Sequence, residues 1–110
     1  MSMSDQADEA LYERQARICQ VLVDPKRLRL LALLRDREYS VGELAETLGI
    51  AYPNVSQHLN VMRDAGLVAT RRAGTSVYYR LAYPRIADAC DIVREVLRQQ
   101  LADAAALAGR

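Results

Sequence analysis

The side chains best equipped for chemistry fall into one dense stretch, one arginine-bearing stretch and one separated pair. Asn54, Ser56, Gln57, His58, Asn60 and Arg63 crowd around three apolar residues, Val55, Leu59 and Met62, that recur at helical spacing. At about 100° per residue, Gln57 and Asn60 fall roughly opposite that apolar seam, with Asn54 and Ser56 on the flanking first turns. Asn and Gln can pair bidentately with an adenine edge, and Ser bonds to bases or to phosphate. Tyr52 and Ser56 are equally suited to clamping phosphate. Arg71, Arg72 and Arg80 follow in a stretch rich in Val, Thr and Tyr. Arg71 and Arg72 stand just before its turn, where an extended hairpin reaches phosphate or the minor groove. This is the chemistry of recognition, not of catalysis. The chain shows no nucleophile–base pair, no glycine-rich phosphate loop and a single histidine, so it reads as no enzyme and implies no cofactor. A lone imidazole makes no metal site without distant partners, and His58 is expected at the helix edge or against phosphate.

The separated pair is Cys19 and Cys90. Two cysteines so far apart do not make a disulfide framework. Three readings stay open for them. They form a redox or reactive-sulfur switch, through a disulfide, a polysulfide bridge or a sulfenic acid. They bind a metal or a metalloid such as arsenite, with a third ligand from elsewhere, the nearest acids being Asp88 and Asp91. Or they have no thiol role, since Cys behaves as a small hydrophobe and Cys90 sits in an apolar stripe. Arg17 and Arg94 are the neighbours in sequence that would lower a thiol pKa.

The elements that position these groups are legible from spacing and caps. From about Gln6, Ala7, Leu11, Ile18 and Leu22 form one helical stripe, while Tyr12, Ala16, Cys19 and Val23 form a second. Two apolar faces require two packing partners. Asp24-Pro25 starts a helix to about Arg35, with Leu28, Leu31, Ala32 and Leu34 inside, and 36–39 is a polar connection. Ser40-Val41-Gly42-Glu43 is a capping box that opens a short helix closed by Gly49. The polar helix runs from about Tyr52 to Ala65 and ends at Gly66. Strands over 67–72 and 76–81 flank a tip at Ala73-Gly74-Thr75. A last helix, about Pro84 to Leu107, carries Ile86, Cys90, Val93, Leu97, Leu101 and Ala104 on one stripe. The expected fold is mostly α with a small β-hairpin, a winged helix-turn-helix in the order α-α-α-α-β-β-α. Residues 1–5 are expected to be flexible and 6–107 to form a single domain that dimerises through its first and last helices.

Length and charge agree with this. A chain of 110 residues with 51% apolar content fits one globular domain. No apolar run approaches the ~20 residues of a membrane span, and the acidic N-terminus does not resemble a signal peptide, so the expected location is cytoplasmic. The net charge is only +1, but residues 51–81 hold four arginines against one acid while residues 1–24 hold five acids against two bases. The positive excess thus peaks where a phosphate footprint is needed.

From Val21 to Leu81 the chain resembles the ArsR/SmtB family of winged-helix repressors. The residues that carry the resemblance are Leu22-Val23-Asp24-Pro25-Lys26-Arg27-Leu28-Arg29-Leu30-Leu31, Ser40-Val41-Gly42-Glu43-Leu44-Ala45, Asn54-Val55-Ser56-Gln57-His58-Leu59, Gly66-Leu67-Val68, Gly74, and Val77-Tyr78-Tyr79-Arg80-Leu81. The resemblance implies a homodimer that represses by binding double-stranded operator DNA and lets go when it senses a small molecule, a redox change or a metalloid. It also implies that the first and last helices pack together, so that Cys19 and Cys90 meet within or between subunits. Two departures stand out. The polar N-cap usual in the family is Ala51 here. The positions matching the family's metal ligands are Ser40 and Gly42 in one site, and Tyr83, Arg85, Val96 and Gln99 in another, so neither metal site is present. Two alternatives to a thiol-controlled repressor remain: a metal- or metalloid-responsive repressor, and a winged-helix protein-interaction module that binds no DNA.

Overall fold

A computed structural model describes residues 3–109. Five helices, α1 (Met3–Val21), α2 (Pro25–Asp36), α3 (Val41–Leu48), α4 (Tyr52–Asp64) and α5 (Arg85–Ala108), combine with three short strands, β1 (Tyr39–Ser40), β2 (Val68–Ala73) and β3 (Ser76–Leu81).

The helix boundaries follow local chemistry. Asp24 caps α2, its carboxylate accepting from the Lys26 and Arg27 amides at 2.8 and 3.4 Å, and Pro25 fills the first turn, where no N–H is needed. At α3 the capping box closes in both directions: Ser40 Oγ accepts from the Glu43 amide at 3.1 Å, and the Glu43 carboxylate accepts from the Ser40 amide at 2.9 Å. That amide, the Arg37 guanidinium and the Ser40 hydroxyl together hold the Glu43 carboxyl below its ordinary range. Gly49 ends α3 at φ 65°, a left-handed position that disfavours side chains, and the Ile50 amide returns to the Ala45 carbonyl at 3.1 Å.

The hairpin pairs Val68 with Leu81 through Ala73 with Ser76, leaving Gly74-Thr75 as a two-residue turn. Gly74 at φ 62° supplies the positive dihedral that such a turn requires at its first position. Ala73 is therefore a strand residue and not part of the tip, because its pairing with Ser76 extends the ladder to its limit. The sheet has a third strand that the sequence does not suggest. Tyr39–Ser40 pairs antiparallel with Tyr79 and Tyr78, giving the order β1-β3-β2. The segment read as a polar connection thus ends in a buried tyrosine: Tyr39 packs into the core beside Tyr79.

That core lies between α2, α3, α4 and the sheet. Leu30, Leu44, Val55, Leu59 and Met62 are fully buried, with Leu31, Leu34, Val41, Val68 and Leu81 around them. On α2 the buried set is Leu30, Leu31 and Leu34; Leu28 is half-buried and Ala32 is exposed, contrary to the periodicity. The run Leu28-Arg29-Leu30-Leu31-Ala32-Leu33-Leu34 is apolar on nearly every side, so tertiary packing, not the pattern, selects the face.

α1 begins at Met3 instead of about Gln6, so 3–5 are helical; residues 1 and 2 lie outside the described residues. It meets the core only near its end, where Val21 and Leu22 pack against the cluster. α5 is anchored early by buried Ala87 and by Arg35 of α2, which bonds Asp91 and Asp88. Beyond that both helices stand clear. The radius of gyration is 17.5 Å, against about 13 Å for a compact chain of this length. The accessible surface is 7907 Å², against about 6100 Å² for a folded monomer of this mass.

Two stability measurements follow. Leu59→Ala is expected to lower unfolding free energy by about 2–5 kcal/mol in urea melts, because a fully buried Leu leaves a cavity. Glu43 has the opposite sensitivity, to acid. Its carboxyl pKa is depressed on folding, so its contribution is full above the ordinary 4.5 and is lost as pH falls through the lower folded value. Glu43→Gln should therefore flatten the acid limb of the stability curve; an unchanged limb would show that the box bears no charge-dependent stability.

Candidate nucleic-acid interface and thiol groove

The three fully buried residues of α4, Val55, Leu59 and Met62, set the rotation of that helix. Asn54, Gln57 and Asn60 consequently face solvent, Ser56 and His58 lie half-buried at its flanks, and Tyr52 is 57% exposed at its start. Ala51 provides no side-chain cap. The helix start is closed by backbone instead: the Asn54 and Val55 amides both donate to the Ala51 carbonyl, at 3.0 and 3.1 Å, and Pro53 has no N–H to satisfy.

His58 sits at the helix edge beside α2. Its Nδ1 lies 3.4 Å from Arg27 Nη1, and Arg27 Nε donates to the Val21 carbonyl at 2.5 Å. One arginine therefore touches the end of α1 and the flank of α4 together.

The hairpin arginines are not equivalent. Arg71 lies on the outer sheet face, its Nε 3.0 and 3.3 Å from the Glu38 carboxylate oxygens and its guanidinium 5.2 Å from the ring of its cross-strand partner Tyr78. Arg72 alternates to the other face, opposite Val77, and Arg80 shares the outer face with Arg71. Among the described residues neither Arg72 nor Arg80 has an ion-pair partner. Sequence reading missed Glu38 as the partner of Arg71, because β1 brings it there from a remote segment.

Cys19 and Cys90 line one groove, an apolar trough of about 700 Å³ between α1 and α5 whose walls include Ile18, Leu22, Ile86 and Val93. Both are free thiols; Cys19 is exposed and Cys90 half-buried. Burial pushes the Cys90 thiol pKa up, more than the nearby Arg94 lowers it. The guanidinium of Arg94 is itself bonded to Asp91 at 2.9 Å. No group of three or more His, Cys, Asp or Glu gathers among the described residues in a way that would hold a metal ion. No described helix is long and apolar enough to cross a membrane.

A helix-turn-helix core with a polar-faced second helix and a flanking β-hairpin defines a winged helix-turn-helix DNA-binding protein. The sequence profile of the bacterial regulatory protein, arsR family, matches residues 24–70. An uncharacterised HTH-type transcriptional regulator of Mycobacterium tuberculosis is 42% identical over 100 residues, covering 90% of this chain and 88% of that protein. The structure of a homodimeric winged helix-turn-helix DNA-binding domain from Mycobacterium bovis superposes with a TM-score of 0.80 at 32% identity, covering 92% of this chain and 94% of that one. The transcriptional repressor BigR from Xylella fastidiosa superposes with a TM-score of 0.72 at 34% identity, covering 87% and 96%. The chain belongs to the ArsR family: it is a DNA-binding transcriptional regulator and not an enzyme.

Proposed function

We propose that the protein is a homodimeric repressor whose two α4 helices each read one half of a near-palindromic operator, and whose release is controlled by the thiols of the α1–α5 groove. The observation that carries this reading is the bare apolar surface of α1 and α5 around both sulfurs. Leu11, Tyr12, Val93, Leu97 and Leu101 are all exposed there, Leu101 at 62%. The surface in excess of a compact monomer, about 1800 Å², is of the size that a subunit covers in a stable dimer. The M. bovis relative is homodimeric, which supports a homodimer here.

On this reading Asn54, Gln57 and Asn60 face base edges, Tyr52 and Ser56 hold backbone, and the hairpin grips flanking phosphate through Arg72, with Arg71 limited by its tie to Glu38. The thiol step balances with a peroxide as oxidant: one thiol is oxidised to a sulfenic acid with loss of water, and the second displaces another water to close the disulfide. DNA affinity falls only if the disulfide favours a conformation that binds DNA less well. A thiol switch fits the groove better than a metal site, because among the described residues no third ligand gathers beside the two sulfurs.

Two measurements test these assignments. DNA binding is measured with thiols reduced, peroxide-treated, persulfide-treated and arsenite-treated, beside the Cys19→Ser/Cys90→Ser protein. Oxidation or persulfide treatment should release the wild type and leave the double variant bound; equal binding throughout rejects the thiol switch, and release by arsenite alone favours the metalloid reading. For the wing, Arg71→Ala/Arg72→Ala should weaken binding to all sequences and flatten its salt dependence, with Arg72→Ala alone giving most of the loss. Unchanged affinity in the double variant would remove the hairpin from the interface.

A further inference from the structure

Between the hairpin turn and the starts of α3 and α4 lies a second cavity, a polar cleft of about 430 Å³. Its walls carry Ser40 at the start of α3, Tyr52, Ser56 and Arg63 on one side of α4, and Thr75 and Ser76 at the hairpin turn. With Tyr79, six hydroxyl-bearing side chains and one guanidinium line the space, and no carboxylate does. Arg63 is exposed and has no ion-pair partner among the described residues. Hydroxyls with a single cation and no acid suit a singly charged, oxygen-rich ligand. They do not suit a divalent cation, which would need carboxylates, or an apolar molecule.

Duplex geometry says which such ligand reaches this place. Adjacent major and minor grooves are separated by one sugar–phosphate strand. A protein that lays a helix in the major groove and a hairpin along the neighbouring minor groove must straddle that strand. The space between helix and hairpin is this cleft. We propose that the cleft is a saddle for a backbone phosphodiester of duplex DNA, with Arg63 as its charged anchor and the hydroxyls of Tyr52, Ser56, Thr75 and Ser76 as its donors. The inference rests on the DNA-bound orientation proposed above and adds a site to it. It also shifts the principal phosphate contact of this region away from Arg71, whose guanidinium is already held by Glu38 and Tyr78 on the opposite sheet face.

The test needs no knowledge of the operator, because a phosphate contact is independent of sequence. Affinity for a mixed-sequence duplex is measured by fluorescence anisotropy across salt concentrations for the wild type, Arg63→Gln, Arg63→Lys and Gly42→Glu. Gly42 lines the same cleft, and an added Cβ there meets nothing nearer than Ser40 Oγ at 4.0 Å, so the glutamate introduces negative charge without a clash. Arg63→Gln should bind about tenfold more weakly at about 0.1 M salt, and its log–log salt slope should fall by about 0.9 for each protomer bound. Arg63→Lys should keep the slope, and Gly42→Glu should bind more weakly still, with all four proteins melting at similar temperatures. A wild-type slope and affinity in Arg63→Gln would overturn the saddle, as would equal losses in Arg63→Gln and Arg63→Lys. If the wild type itself showed no salt-sensitive binding to any duplex, the DNA-bound orientation would fail and the saddle with it.

Discussion

The burial of Val55, Leu59 and Met62 is the constraint on which the rest of the structure depends. A helix that presents a polar face for recognition has little intrinsic reason to hold one rotation. This one is fixed because three side chains on its other face lose all contact with water, against Leu30, Leu31 and Leu34 of α2 and Val41 and Leu44 of α3. Turning α4 by one residue would bury an amide side chain and expose a leucine, at an expense of several kcal/mol. Asn54, Gln57 and Asn60 are therefore aimed by the core and not by contacts of their own. The sheet serves the same end. Tyr39, Tyr79 and Leu81 cover the other side of the cluster and carry the hairpin outward beside α4.

Charge and apolar surface are segregated around that core. On the reading side Arg63 and Arg72 have no carboxylate partner among the described residues, while Arg71 and Arg80 lie on the outer sheet face, Arg71 paired with Glu38. The other paired charges lie elsewhere. Arg35, Arg94, Asp88 and Asp91 form a network that ties α5 to α2, and it holds the Asp91 carboxyl below its ordinary range, chiefly through the Arg35 hydrogen bond. Such partly exposed pairs orient a helix more than they stabilise it. They fix the root of α5 and leave its apolar length free, which is why the chain is so much more extended than its mass requires.

What could be read from the sequence was local. The capping box at Ser40, the glycine that closes α3, the proline starts of α2 and α4, and the seam of α4 depend on neighbours within a turn or two, and each stands where its spacing placed it. The features that escaped depend on distant partners. Tyr39 is a strand residue only because Tyr79 lies beside it, and two residues carry no periodicity of their own. The face of α2 is chosen among several leucines by the elements that happen to cover it. Arg71 looked like a free wing cation because Glu38, far away in the chain, gave no sign of reaching it. The shared groove of Cys19 and Cys90 followed only from the family resemblance; neither spacing nor composition places two end helices side by side.

The groove and the reading helix meet through one side chain. Arg27 bonds the last carbonyl of α1 and faces His58 on α4, while its own amide is held by the Asp24 cap. α1 bears Cys19 close to that carbonyl, so a displacement of the thiol-bearing helix changes what Arg27 can reach. Proximity alone is not coupling. Free energy passes through such a contact only if the two arrangements of α1 leave α4 with different affinities for DNA. Linkage then makes the effect reciprocal: if a disulfide in the groove weakens DNA binding by some factor, bound DNA must disfavour the disulfide by the same factor. On the proposed reading the operator is thus an effector of the thiols as much as the thiols are of the operator, and a protein resting on its DNA is harder to oxidise than the same protein free in solution.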